Sequence, residues 1–257
     1  MLEIAIATRS ERGQRTRNED SVRVCRDGPL WLAVLADGAG GHKGGAEASH
    51  RAVEYMQQAL YAVRPGFEAE ALTKAVVATH RYVLEGQRPG SGLDHMHSTV
   101  VVLWIDTESG GALWTHVGDS RLYVVRRGVL RQLTSDDSVV QRMVDAGLLT
   151  AQQALVHPNK SQLIAALGID DELQPHTVAQ AVPLDAGDAF LLCSDGWWGS
   201  LQEADILRSL SDADTPEEWL EAMQKRIEAQ AQPRQDNFSA IAAWVVNRNV
   251  QAARLAA

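Results

Sequence analysis

Hydrophobic residues recur along the chain in two patterns, short runs typical of strands and longer stretches with helical spacing. The short runs predict strands at Glu3–Thr8, Leu30–Ala36, Thr99–Asp106, Ala112–Val117, Arg121–Arg126, Val129–Leu133, Ala189–Cys193 and Ser239–Val246. Turn-like segments at Glu108–Gly111 and Arg127-Gly128 separate neighbouring runs, as hairpin connections do. Strand-forming segments therefore come from both ends of the chain.

Helical spacing of apolar residues fills the stretches between these runs. The pattern predicts helices over Gly45–Val63, Glu68–Leu84 and Ser138–Leu149, a new helix start at Thr150, and a helix from Thr215 to about Ala231. Thr215 is a typical N-cap, and Pro216 suits the first helical position because a backbone N–H would have no helical partner there. Hairpin-spaced strands combined with paired helices predict an α+β layered domain, and a parallel βαβ alternation fits less well.

The composition is that of one folded unit. The chain has 257 residues, of which 45% are hydrophobic and 22% charged, so it can bury a substantial core. No linker rich in proline, glycine or serine divides it, and we predict a single domain over residues 1–247 with a short tail over 248–257. The sequence shows no membrane-spanning run and no convincing signal peptide, and Cys25 and Cys193 suit reduced thiols, so the expected location is cytoplasmic.

The charge balance is acidic. There are 24 Lys and Arg residues against 33 Asp and Glu residues, a net charge of −9, which disfavours nucleic-acid binding because phosphate backbones require concentrated positive charge. One basic cluster lies near the N-terminus, at Arg9, Arg12, Arg15 and Arg17. A planar guanidinium suits phosphate oxygens when it lies beside a functional site. Taken alone, however, the segment Gly13–Ser21, in which Arg15 precedes an acidic pair, is better explained as a solvated, charged loop.

Four aspartates mark the ends of hydrophobic strands. Asp37, Asp119 and Asp195 follow such runs beside a glycine, and Asp236 precedes the last run. A single Asp-Gly pair is weak evidence because the same dipeptide forms ordinary turns. Four gathered carboxylates, however, repel one another at close range unless a cation lies between them. The Cys and His spacing that zinc prefers is missing here, so Mg²⁺ or Mn²⁺ is the expected ion.

Taken together, these segments resemble the successive motifs of the metal-dependent protein phosphatases of type 2C. The matching segments are Arg15-x-x-Asn18-Glu19-Asp20, Ala36-Asp37-Gly38-x-Gly40-Gly41-His42, Gly118-Asp119-Ser120-Arg121, Ser194-Asp195-Gly196 and Asp236-Asn237. They occur in the family's order across residues 13–240, and the chain is most similar to the stand-alone bacterial branch. One departure is Asp137, where bacterial relatives commonly have histidine, but every expected metal ligand is present.

The resemblance implies a four-layer αββα sandwich, in which helix pairs flank two mainly antiparallel sheets and metals bind at one end. Asp37 would bridge two tightly bound Mn²⁺ or Mg²⁺ ions, and the Gly38 carbonyl would bind one of them. Asp195 and Asp236 would complete the other site. The resemblance also allows a third, weaker ion held by Asp119 together with Asp195.

The resemblance further assigns roles to the residues around the metals. Glu19 and Asp20 would hold metal-bound waters, with Asn237 in the same outer layer. Arg15 would bind the substrate phosphate, and His42 is the nearest candidate to protonate the leaving oxygen. A substrate-facing flap is placed at residues 134–167.

The expected activity is hydrolysis of phosphoserine and phosphothreonine on proteins, by attack of a metal-activated water at a two-metal centre. The expected partners are phosphorylated proteins, including a bacterial Ser/Thr kinase and its substrates, and the chain is expected to be a monomer that binds neither nucleic acid nor membranes. Two alternatives stay open. An inactive relative that only binds phosphoproteins would lack a metal ligand, and a two-metal phosphodiesterase or nuclease is disfavoured by the acidic charge.

Overall fold

The computed structural model describes residues 2–39, 43–62, 66–169, 172–230 and 233–247, and the predicted tail lies outside these ranges. The twelve strands of the described part are β1 (Leu2–Glu11), β2 (Asp20–Asp27), β3 (Leu30–Ala39), β4 (His97–Ser98), β5 (Val100–Asp106), β6 (Gly111–Val117), β7 (Arg121–Arg126), β8 (Val129–Gln132), β9 (His176–Thr177), β10 (Val182–Pro183), β11 (Ala189–Cys193) and β12 (Phe238–Asn247). Its seven helices are α1 (Lys43–Ala62), α2 (Ala69–Gly86), α3 (Val139–Asp145), α4 (Ala151–Leu155), α5 (Asp195–Trp198), α6 (Glu203–Ser211) and α7 (Pro216–Ala229). None of these helices combines the length and apolarity that a bilayer crossing requires.

The strands form two antiparallel sheets. The five-stranded sheet has the order β1-β12-β11-β7-β8. In the seven-stranded sheet the path is β10-β6-β5-β3-β2, with β4 paired to β3 and β9 paired to β6. β12 lies between β1 and β11, and it pairs with β1 from Leu2↔Asn247 to Glu11↔Phe238. The first and last strands of the described chain are therefore neighbours over their whole length.

Three layers of apolar side chains hold the sheets and helices together. Leu35 and Ile241 are buried between the two sheets. Met56 of α1 and Trp104 of β5 belong to the layer between the seven-stranded sheet and α1 and α2. Trp219 of α7 is fully buried in the layer between α6, α7 and the five-stranded sheet. This arrangement confirms the predicted α+β fold with an αββα order of layers.

β3 shows why its sequence is a continuous apolar run. Successive side chains of a strand point to opposite faces of the sheet. Leu32 and Val34 pack in the layer toward the helices, whereas Ala33 and Leu35 pack in the layer between the sheets. Because both faces are covered, no polar residue is required between Leu32 and Ala36, and all of these side chains are buried.

Several predicted boundaries differ from the structure. The helical region Ser138–Leu149 was predicted to end at Gly147, and the helix itself ends at Asp145, shortly before Gly147 adopts a φ of 70° that a helix cannot accommodate. The helix start at Thr150 is confirmed by a capping box with Gln153, and Thr215 caps α7 as predicted. The prediction did not assign β2 as a strand, because charged residues alternate with its valines, nor α6, which is mainly polar.

Candidate active site

The predicted aspartates meet at one end of the sandwich, because the C-terminal end of a strand lies beside the N-terminal end of its antiparallel neighbour. The C-terminal ends of β3, β6 and β11 lie at this end of the sandwich, which places Asp37, Asp119 and Asp195 there. β2 and β12 begin at the same end. Asp20 is the register partner of Asp37, and Asp236 lies just before β12.

A cavity of about 810 Å³ opens at this end of the sandwich. The predicted site residues that line it are Arg15, Glu19, Asp37, Gly38, Asp119, Asp195, Asp236 and Asn237. The other lining residues are Thr16, Arg17, Ala39, Ser91, Gly92, Thr99, Ser161 and Leu163. Asp20 is buried outside the lining, and His42 falls outside the described residues. The structure thus brings most of the predicted residues to one place, and their individual roles stay predictions.

Three carboxylates of the cavity wall, those of Asp37, Asp119 and Asp195, have raised pKa values. Burial, followed by the nearby Asp236 carboxylate, raises the pKa of Asp195 to about 6. Burial and the charges of Asp20 and Asp195 raise the pKa of Asp37 well above its usual range. The pKa of Asp119 rises for the same two kinds of reason, burial first and then Asp195. Such a cluster is stable in its charged form only with compensating positive charge.

The donor set fits hard divalent cations. The four aspartates that line the cavity offer carboxylate oxygens, and the Gly38 backbone offers a carbonyl at the same wall. Oxygen donors of this kind are the ligands that Mg²⁺ and Mn²⁺ prefer. Gly38 has no room for a side chain, because a Cβ there would overlap the Gly45 carbonyl and lie 2.7 Å from the Glu19 carbonyl. Its N–H donates to that Glu19 carbonyl at 3.1 Å.

Asp20 supports the wall from behind. Its Oδ2 accepts a hydrogen bond of 2.8 Å from the Ser194 hydroxyl, which connects β2 to the residue before Asp195. Burial raises the pKa of Asp20 to about 7, and the charges of Asp195 and Asp236 add to this effect. Asp20 therefore joins the two sheets at the site and increases its negative charge.

Arg15 lies at the mouth of the cavity. Its Nη2 donates to Asp236 Oδ2 at 2.6 Å, and this hydrogen bond raises the pKa of the guanidinium. The Arg15 side chain is 59% exposed, so it can reach a group that enters from solvent. The arginine is thus next to a predicted metal ligand, as a phosphate-binding role requires.

Asn237 holds the loop that carries this arginine. Its Nδ2 donates to the carbonyls of Arg12 and Arg17 at 2.7 and 2.8 Å. Its Oδ1 accepts a hydrogen bond of 2.9 Å from the Glu19 N–H. One side chain at the start of β12 therefore fixes both ends of the loop around Arg15.

The comparisons with known proteins agree with this geometry. Residues 8–236 match the family model described as Protein phosphatase 2C. The chain belongs to this family. The Serine/threonine protein phosphatase PstP of Mycobacterium tuberculosis is 35% identical over 211 residues, which are 81% of this chain and 39% of that protein. Protein phosphatase PhpP of Streptococcus pneumoniae is 35% identical over 223 residues, which are 84% of this chain and 86% of that protein.

A solved structure shares the fold of this member of the 2C family. The crystal structure of the PstP catalytic domain in complex with two manganese ions superposes with a TM-score of 0.81 at 30% identity, over 96% of this chain and all of that chain. The present chain therefore matches the PstP catalytic domain in full, although it spans only 39% of the length of PstP.

Two residues of this 2C-family site were not assigned a role from the sequence. Thr99 Oγ1 accepts from the Asp37 N–H at 2.9 Å, and the Thr99 N–H donates to the Asp37 carbonyl at 2.8 Å. Trp198 Nε1 donates to the Asp119 carbonyl at 3.0 Å. Thr99 and Trp198 thus fix the backbones of two predicted ligands. The sequence places both of them beside motifs, but the contacts depend on how the strands meet.

Proposed function

We propose that this protein is a serine/threonine protein phosphatase that hydrolyses phosphoserine and phosphothreonine in proteins, with Mn²⁺ or Mg²⁺ as cofactor. The observation that carries the proposal is the set of Asp37, Asp195 and Asp236 around one cavity, with Arg15 at its mouth. Membership of the 2C family, the names of PstP and PhpP, and the two manganese ions of the PstP structure support it.

In this proposal Asp37, the Gly38 carbonyl, Asp195 and Asp236 hold two cations, and Asp119 with Asp195 holds a third, weaker one. When bound, such cations lower the pKa of a bound water toward neutrality and offset the negative charge of a phosphate. The carboxylates bring the charge that binds the cations, and the raised pKa values of Asp37, Asp119 and Asp195 reflect their burial and mutual repulsion without compensating charge.

The side chains around the metals position the substrate and water. Arg15 donates N–H groups to phosphate oxygens, and these bonds strengthen as the oxygens gain charge in the transition state. Glu19 and Asp20 accept hydrogen bonds from waters at the site, and Asn237 keeps the Glu19 backbone in place. His42 protonates the leaving serine or threonine oxygen.

We also propose the wider arrangement of the protein. Residues 1–247 act as one catalytic domain, and residues 134–167 form a flap over the cavity. Ser161 and Leu163, which line the cavity, support this placement. The partners are phosphorylated proteins, including a Ser/Thr kinase and its substrates, and the enzyme works as a monomer in signalling. The free thiols of Cys25 and Cys193 are consistent with a cytoplasmic location.

The decisive experiment is phosphate release from a phosphothreonine peptide. We expect release with Mn²⁺, none with EDTA, and none from Asp37→Asn with Mn²⁺. The same preparations are tested on supercoiled plasmid, where nicking would favour the phosphodiesterase alternative. Binding of the phosphopeptide without release of phosphate would favour the inactive relative. Release that persists in EDTA would contradict the metal mechanism.

A further inference from the structure

A second cluster of metal-binding side chains lies outside the carboxylate cavity. His116 is on β6, His176 is on β9, and Asp137 lies at the start of the segment 134–167. One ring nitrogen of each histidine and one carboxylate oxygen of Asp137 lie within 4.8 Å of one another. None of the three residues lines the cavity of the candidate active site.

The strand register brings the two histidines together. His116 and His176 are direct partners in the antiparallel pair of β6 and β9, so their side chains leave the same face. The ring centroids are 5.0 Å apart and the rings are nearly parallel, at 24°. His116 is 3% exposed, whereas the His176 side chain is 56% exposed. His116 is therefore held in place by its surroundings, whereas the exposed His176 side chain has room to rotate.

His116 is oriented as metal-binding histidines usually are. Its Nε2 lies 2.7 Å from the Ser135 carbonyl, and a carbonyl can only accept, so Nε2 carries the proton. Its Nδ1 then presents a lone pair. Nδ1 is buried and has no hydrogen-bond partner among the residues that the structure describes. Burial lowers the pKa of His116, which keeps the ring neutral and the lone pair available.

A backbone carbonyl on the outer nitrogen is the usual way in which proteins fix the tautomer of a histidine ligand. A histidine that served only for packing would leave a buried acceptor unpaired, which is unfavourable. The unpaired Nδ1 of His116 is therefore the feature that distinguishes a ligand site from an ordinary pair of stacked rings.

Asp137 is held with one oxygen toward the histidines. Its Oδ2 accepts from the Gly118 N–H at 3.0 Å, and its Oδ1 lies 2.9 Å from Nε2 of His176. Gly118 itself has a φ of 96°, a left-handed conformation that favours glycine. One carboxylate and two imidazoles form a donor set that suits a divalent transition metal.

We propose that His116, Asp137 and His176 form a zinc site, with Nδ1 of His116, Oδ1 of Asp137 and Nε2 of His176 as ligands and water in the fourth position. Nitrogen-rich sites favour Zn²⁺ over Mg²⁺, which prefers six oxygen ligands. Tetrahedral zinc with bonds near 2.0–2.1 Å separates its ligand atoms by about 3.3 Å. Because the two rings are nearly parallel, the His176 ring must turn to direct its Nε2 lone pair at the same ion as His116, and the exposure of its side chain leaves room for this rotation. The site is independent of the proposed phosphatase activity.

Such an ion would tie the proposed flap to the seven-stranded sheet. The Asp137 N–H donates to the Gly118 carbonyl at 3.0 Å, and the Asp137 carbonyl accepts from the Ile164 N–H at 2.8 Å. Asp137 thus touches both ends of the segment 134–167 while its side chain faces β6 and β9. Zinc at this point fixes the base of the flap.

The test is competition for Zn²⁺ between the full chain and a chromophoric chelator, in saturating Mg²⁺ that occupies the carboxylate cavity. We expect the parent to bind one Zn²⁺ with higher affinity than His176→Ala or Asp137→Asn, by at least about tenfold. His50→Ala, which removes an exposed histidine of α1, is the matched control and keeps the parental affinity. Asp195→Asn also keeps it, because its change lies in the cavity.

A second readout follows the flap. Zn²⁺ slows hydrogen exchange of the Ile164 amide in the parent and leaves it unchanged in His176→Ala, in which the exposed ligand is lost without a change in the core. Equal zinc affinity in the parent, His176→Ala and Asp137→Asn would overturn the proposal, and so would zinc binding that is lost only in Asp195→Asn. If Zn²⁺ leaves the rate of hydrogen exchange of the Ile164 amide unchanged in the parent, the proposed role of the ion at the flap is overturned.

Discussion

Two arginine–aspartate pairs at this end of the molecule, Arg15–Asp236 and Arg121–Asp136, differ in solvent exposure and in the number of hydrogen bonds that join them. Arg15 donates one hydrogen bond of 2.6 Å to Asp236, and the two side chains are 59% and 39% exposed. Arg121 donates two bonds of 2.9 and 2.8 Å to Asp136, and these side chains are 15% and 6% exposed. The Arg121 guanidinium also lies 3.5 Å from the centroid of the Trp198 ring.

The difference separates an arginine that can exchange partners from one that cannot. An exposed pair contributes only about 0–1 kcal/mol, so Arg15 can leave Asp236 for a phosphate at little cost. A buried, bidentate pair is costly to break because the remaining charge has no solvent. Arg121 therefore fixes the residue before Asp137, at the base of the proposed flap, and Arg15 is available to substrate.

The largest expected effect is a loss of activity when Asp236, the carboxylate of the exposed pair, is replaced. Asp236→Asn keeps the shape but removes a charge that the proposed cation centre requires, and we expect activity on a phosphothreonine peptide to fall to about a thousandth or less. Asp185→Asn is the matched control, since Asp185 lies outside the cavity beside Arg126 and Arg127. Near-parental turnover in Asp236→Asn, at parental metal occupancy, would remove this residue from the proposed metal centre.

The second-largest expected effect is a loss of stability when Arg121, the arginine of the buried pair, is replaced. Arg121→Met leaves Asp136 without its partner in a buried place, and we expect the free energy of unfolding to fall by about 3–5 kcal/mol. Arg121→Lys keeps the charge but loses the planar fork and the stacking on Trp198, so it recovers only part of this loss. Urea denaturation measures both, and a loss below about 1 kcal/mol in the methionine variant would make the two pairs equivalent.

A smaller effect is expected from the exposed arginine. Arg15→Ala removes the charged donor proposed to bind the phosphate, and we expect kcat/KM on a phosphopeptide to fall about 10- to 100-fold while the free energy of unfolding changes by less than about 1 kcal/mol. Arg9→Ala is the control, because the Arg9 side chain donates to the neighbouring Thr8 carbonyl and does not line the cavity. Unchanged kcat/KM in Arg15→Ala would return this arginine to the role of a solvated loop residue.

The smallest effect is a pH dependence of metal stabilisation. Burial raises the pKa of Asp195 to about 6 and that of Asp20 to about 7, from an ordinary value of 3.8. Without cations the folded state therefore holds protons that the unfolded state releases, and its stability falls as pH rises through 6 and 7. Cations compete with these protons, so Mg²⁺ should raise Tm by a larger amount at pH 8 than at pH 5. Thermal unfolding with Mg²⁺ and with EDTA measures the difference, and an equal gain at both pH values would contradict it.

The sequence contained most of the fold because most elements have a local signature. The bounds of β7 and β11 agree with the predicted runs, and the N-cap of α7 was visible as Thr215 before a proline. β2 and α6 have weaker signatures, since few of their side chains are buried and those that are buried include the polar Asp20 and Ser209. Local periodicity is informative only where one face is consistently apolar.

The candidate functional residues likewise differ in how well the sequence predicts where they lie. The aspartates were predictable because each is next to a strand end, a position that the pattern of apolar runs shows. The cluster of His116, Asp137 and His176 was not, because a register between β6 and β9 and the return of a loop bring it together. The spacing rules for zinc ligands describe neighbours in sequence, and here the ligands are neighbours only in the fold. A histidine within the apolar run before Gly118 was the one visible sign.

β12 is the last of the described strands to leave the ribosome, yet it lies in the middle of its sheet, between β1 and β11. Asp236 and Asn237, which contact Arg15 and Glu19, arrive with it. β1 must therefore wait until β12 has been synthesised, more than 200 residues later, before it gains this strand partner. Pairing over such a sequence separation is slow compared with local folding. A nascent chain without β12 consequently lacks Asp236, one of the ligands of the proposed cation centre, and the contacts that hold the loop around Arg15.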